Sequence, residues 1–101
     1  MTQLERIEMM EKLLDQASDA VAAFDEALDE FARVQEGILV LDNYYGSDEW
    51  MEDFEADEAG KLPADLKRGV LSEDALFDLL TDNKQLFVRL MELAADYVKK
   101  A

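Results

Sequence analysis

An all-α fold is predicted by three features of this sequence. Apolar residues recur three and four apart over two long stretches, no segment alternates apolar and polar in the manner of a strand, and glycine, serine and the lone proline cluster where the stretches stop and start. The expected architecture over residues 1–101 is one helical domain. A long N-terminal helix (1–45) and a C-terminal helix (72–101) pack antiparallel, joined by an acidic and aromatic connector (46–71) that carries short helices. The bundle is expected to be completed by dimerisation.

The first helix rests on a heptad seam. Ile7, Met10, Leu14, Ala17, Val21, Phe24, Leu28, Phe31, Ile38 and Tyr45 keep the spacing, with Gln35 and Asp42 as interruptions. The adjacent column Leu13, Ala20, Ala27, Val34, Leu41 is apolar too, so the stripe is wide enough for two neighbours. Glu5, Glu8 and Glu11 suit the positive end of the helix dipole. Gly46, after Tyr44 and Tyr45, is a left-handed terminator in waiting. Gly37 lies within the pattern and costs about 1 kcal/mol relative to alanine, which marks it, with Ala17-Ser18-Asp19, as a place for a bend.

In the connector, Ser47-Asp48-Glu49-Trp50 opens a short helix that carries Trp50, Met51 and Phe54 and ends near Gly60. Pro63 suits the first position of a further turn, Ala64–Arg68, closed by Gly69. The last helix has Ser72 as its N-cap, Glu73 and Asp74 in its first turn, and Leu71 and Leu76 at the positions of a hydrophobic staple. Leu76, Leu79, Leu80, Leu86, Phe87, Leu90, Leu93, Ala94, Tyr97 and Val98 carry the apolar pattern to Lys99 and Lys100. Thr81-Asp82-Asn83 is a weak helical segment and a second candidate bend.

Helix lengths bear on assembly. A first helix of about 42 residues is about 63 Å long and a last helix of about 27 residues about 40 Å, at roughly 1.5 Å per residue. Ile7, Met10, Leu13 and Leu14 are then left for a second molecule, as a self-association surface. The competing arrangement is a monomeric three-helix bundle whose first helix bends back on itself.

Composition narrows the chemistry. With 25 acids against 10 bases the net charge is −15, opposed to binding nucleic-acid phosphates or anionic membranes. The chain has no cysteine and no histidine, which removes disulfides, thiolate nucleophiles and the usual general base and metal ligand. The opening Met1–Glu8 is charged, and no apolar run approaches the roughly 20 residues of a membrane span, so the expected location is the cytoplasm. Neither a catalytic residue nor a metal or cofactor is expected.

The charge is uneven. Residues 1–41 hold ten acids and three bases, residues 42–58 eight acids and no base, and residues 59–101 seven of each. Asp42 sits at the negative end of the first helix, and Lys67 or Arg68 folding back onto it would relieve that conflict. The acidic face otherwise reads as a solvated surface that keeps the protein dispersed, or as a decoy for phosphates. Asp53, Glu55 and Asp57 imitate the opening of a calcium loop, but Glu58 and Ala64 stand where the loop needs its glycine and its bidentate glutamate. The pairs Glu5/Glu8 and Glu26/Asp29 follow a loose pattern used by Mg²⁺-dependent nucleotide-processing enzymes, yet 21 positions of one helix, about 31 Å, separate them.

The aromatic elbow Tyr44, Tyr45, Trp50, Phe54, with Lys67 and Arg68 beyond it, is the most distinctive cluster. It reads either as a cap on the end of the bundle, with Leu62, Leu66 and Val70 beneath the connector, or as an exposed anchor for an unidentified protein partner.

The central stretch carries a family likeness: Tyr44-Tyr45-Gly46-Ser47 to Trp50, Asp53-Phe54-Glu55-Ala56-Asp57-Glu58, Gly60-Lys61-Leu62-Pro63, and Leu66-Lys67-Arg68-Gly69-Val70-Leu71-Ser72-Glu73-Asp74. It resembles the domain of unknown function four-two-nine-eight, a family of small bacterial proteins. The likeness extends over nearly the whole chain, with the N-terminal helix matching in pattern only. It implies a small bacterial cytoplasmic protein and brings no activity, cofactor or site residue. The residues themselves favour a non-catalytic protein–protein interaction module. A Mg²⁺-dependent enzyme with paired carboxylates and an acidic nucleic-acid mimic are the alternatives.

Overall fold

A computed structural model describes residues 1–101. Helix α1 spans Gln3–Tyr44, α2 spans Asp48–Glu58 and α3 spans Glu73–Lys100, with a single 3₁₀ turn at Gly69–Leu71 and no strand. The long N-terminal helix, the long C-terminal helix and the short connector are therefore as the heptad pattern predicts. The chain divides into two compact units, Met1–Glu36 and Gly37–Ala101.

The first unit is helical throughout from Gln3. Its start is fixed by a cap: the Glu5 amide donates to Thr2 Oγ1 at 3.1 Å, and the Thr2 hydroxyl donates to Glu5 Oε1 at 3.0 Å. This is a variant of the capping box, in which threonine and a glutamate three residues on satisfy each other and a free helical amide. No α1 residue is buried. Arg33 pairs with Glu30 at 2.7 Å on an open surface, a contact of small energetic consequence. The helix is continuous through Ala17-Ser18-Asp19, the segment expected to allow a bend.

The second unit has a small core of Trp50, Leu71 and Leu76, with Leu41, Tyr44, Tyr45, Phe54 and Leu62 packed around it. Two serines build it. Ser47 caps α2 by accepting from the Trp50 amide at 3.1 Å, and its hydroxyl donates to the Tyr44 carbonyl at 2.6 Å. One side chain thus closes α1 and opens α2, and Gly46 makes the tight reversal possible with φ +78°. Ser72 caps α3 by accepting from the Ala75 amide at 3.3 Å. Leu71 and Leu76 flank it as the staple, and both are buried. α2 ends in a Schellman arrangement around Gly60 (φ +70°): the Lys61 amide donates to the Ala56 carbonyl and the Gly60 amide to that of Asp57, each at 3.0 Å.

Several expectations need correction. α3 runs without interruption through Thr81-Asp82-Asn83, and α1 through Gly37. These residues cost a few tenths to about 1 kcal/mol each, less than the long helical runs on either side supply. The turn after Pro63 is a single one, with the Leu66 amide donating to the Pro63 carbonyl at 3.2 Å. Gly69 does not close it but begins the 3₁₀ turn that carries Leu71 into the core. Leu66 and Val70 face outward, and of the partners expected beneath the connector only Leu62 packs there.

Candidate functional site

The elbow is assembled by the end of α1, the first two turns of α2 and the 3₁₀ turn. Trp50 lies at its centre, 3% exposed. Its indole N–H donates to the Val70 carbonyl at 2.9 Å, so the one polar atom of the ring is satisfied. Phe54, one helical turn on, stacks against it with centroids 5.2 Å apart and planes 22° apart. Tyr45 meets it edge-on at 5.6 Å and 72°. Both geometries suit the ring quadrupoles. Trp50 is accordingly not an exposed anchor but the interior of the second unit, and Tyr45 and Phe54 are its half-buried walls.

Tyr44 and Arg68 are committed as well. The Tyr44 hydroxyl donates to Asp53 Oδ2 at 2.5 Å. That hydrogen bond, reinforced by partial burial and by the charges of Asp53 and Glu49, pushes the phenol up to about 12 from its usual 10.0. Arg68 pairs with Asp57 and donates further to the Pro63 carbonyl at 2.6 Å and the Leu66 carbonyl at 3.3 Å. The fold-back of a base onto the acidic stretch therefore exists, but its acceptor is Asp57 and not Asp42. The guanidinium's fixed fork accounts for the choice, since it binds a carboxylate and two carbonyls of one loop together. Lys67 remains exposed, at the rim of a shallow apolar depression lined by Leu41, Val70, Leu76 and Leu79. Of the six residues proposed as a partner surface, Trp50 is buried, Tyr44, Tyr45, Phe54 and Arg68 are half-buried, and Lys67 is exposed.

The four residues proposed for self-association stand otherwise. Ile7, Met10, Leu13 and Leu14 are 50–58% exposed. The same face continues through Val21, Phe24 and Leu28, each at least 40% exposed. The end of α3 shows Leu86, Met91, Leu93, Tyr97 and Val98 to solvent, a second apolar surface that the length comparison between the helices did not anticipate. Its signal was present in the heptad spacing of α3, which carries apolar residues to within three positions of the last residue. Glu5/Glu8 and Glu26/Asp29 all lie along α1, and no three acidic side chains gather in a metal-binding arrangement.

No helix is long and apolar enough to cross a membrane.

A family model described as a domain of unknown function matches residues 7–93, which takes in most of α1, the whole connector and most of α3. No curated protein matches the chain.

Proposed function

Starting from a chain that belongs to the family of the domain of unknown function DUF4298, we propose that it works as a non-catalytic helical interaction module whose first partner is another copy of itself. One observation supports this reading: each long helix carries large apolar side chains that its own unit leaves exposed, Ile7, Met10, Leu14, Val21 and Phe24 on α1 and Met91, Leu93, Tyr97 and Val98 on α3. The elbow supports the same reading from the other side. Its aromatic rings and its arginine are occupied in holding the connector, which leaves it a scaffold for the two long helices. Each copy carries a net charge of −15, which opposes the pairing, so apolar contact is its driving force and added salt should strengthen it.

Light scattering on a dilution series tests the proposal. The expected mass is twice 11.5 kDa or a higher multiple, falling toward the single-chain value on dilution. A mass of one chain at every concentration refutes self-association.

A further inference from the structure

We infer that residues 61–70 form a strap over Trp50 that lifts while α2 and α3 stay folded, and that the pairing of Arg68 with Asp57 is the latch holding it down. Every contact involved lies within Gly37–Ala101, and none requires a second molecule.

The strap is lightly attached. It runs from the end of α2 into the 3₁₀ turn, and of its residues only Leu62 and Arg68 are withdrawn from solvent. Its Leu66 amide bonds within the strap, to the Pro63 carbonyl. Three ties join the segment to α2. At the base, the Lys61 amide donates to the Ala56 carbonyl at 3.0 Å. At the far end, the Val70 carbonyl accepts from the Trp50 indole at 2.9 Å. Between them Arg68, its side chain 37% exposed, pairs with Asp57, 20% exposed. The same guanidinium holds the Pro63 and Leu66 carbonyls, so the group that grips α2 also gathers the loop. Gly60 and Gly69 bracket the movable part, and nothing lies within 4 Å of where a side chain would stand on either.

Local opening follows the path that gives up the fewest buried contacts. Lifting the strap costs the half-burial of Leu62, the latch and one indole hydrogen bond. Unfolding α2 or α3 instead costs buried Trp50 or Leu76 together with whole helical turns. The Lys61 tie belongs to the helix end and serves as the pivot, while Leu71 stays with Leu76 beside the Ser72 cap. Once the strap is up, Trp50 turns from interior into surface. The latch thus governs access to the aromatic elbow.

The one tryptophan gives one indole resonance, and its N–H exchanges with solvent only when the Val70 carbonyl is away. Hydrogen exchange by NMR on the full chain compares that proton with the backbone amides inside α2 and α3. Corrected for intrinsic rates, the indole is expected to exchange at least about tenfold faster than the slowest of those amides. Arg68→Ala should speed it about tenfold more, the ratio that about 1.4 kcal/mol produces, and leave the α3 amides within about twofold. Lys67→Ala, one position away and outside the latch, should leave the indole rate as it was. Asp57→Ala removes the other half of the latch and carries the test should Arg68→Ala fail to fold. The double variant should be no faster than Arg68→Ala alone, because the two residues make one contact. An indole that exchanges in step with the slowest amides overturns the strap, since only unfolding of the whole unit then frees it. A faster indole that ignores Arg68→Ala or Asp57→Ala, or a double variant whose effect is the product of the two, overturns the latch.

Discussion

Replacing Phe24 by alanine separates association from folding. Phe24 lies on α1 in the first unit and is 50% exposed. Full burial of such a side chain contributes about 1.5–3 kcal/mol, so covering its exposed half contributes about 0.7–1.5 kcal/mol. A symmetric dimer loses this twice, about 1.5–3 kcal/mol, which weakens the dimer roughly 10- to 100-fold. Alanine is the better helix former, so α1 gains a few tenths of a kcal/mol of intrinsic helical preference in the same substitution. Sedimentation equilibrium gives the dissociation constant, and circular dichroism at high concentration gives the helix content. Weaker association with helix content unchanged is the expected result. A dissociation constant within twofold of the parent would refute the reasoning, because it would mean that the α1 face stays in water in the assembled state.

Other consequences concern the second unit. Trp50→Ala should lower its stability by about 3–5 kcal/mol in urea denaturation, through the cavity and the unpaired Val70 carbonyl together. Two glycines should respond with opposite sign in thermal melts. Gly60→Ala places a side chain at φ +70° and should cost about 1–2 kcal/mol, whereas Gly37→Ala, in regular helix with open space around it, should add about 0.5–1 kcal/mol. Tyr44 should ionise near pH 12, seen as a tyrosinate absorbance step that disappears in Tyr44→Phe and moves downward in Asp53→Asn. A phenol raised in the folded state favours folding below pH 10.0, and that contribution is lost as the pH rises from 10.0 through about 12.

Local chemistry was readable from the chain and long-range choices were not. Ser47, Gly46, Gly60, Ser72 and the Leu71/Leu76 staple are each decided within about four residues, and each stands where its residue type predicts. The heptad seam gave the extent of both long helices for the same reason, because every turn repeats the evidence. Arg68 is different. Its choice of Asp57 over Asp42 depends on the path of the loop from Gly60 to Gly69, which no local pattern encodes. The same holds for Val70, whose carbonyl receives the Trp50 indole from twenty positions away while its side chain faces outward. Thr2 is legible on the same grounds: threonine followed three residues later by glutamate is a start signal in its own right. The exposed end of α3 was hidden by treating length as coverage, when an apolar seam states only that something is to be covered.

The single tryptophan of the chain sits in the interior of residues 37–101, and residues 1–36 contain none. Its fluorescence is therefore a reporter on one unit, while far-ultraviolet ellipticity, summed over every helical peptide, listens to both. If the units melt together the two signals trace the same curve. A gap between the curves would show the N-terminal rod unravelling on its own schedule, and the size of that gap would measure how far each unit's cohesion depends on the other.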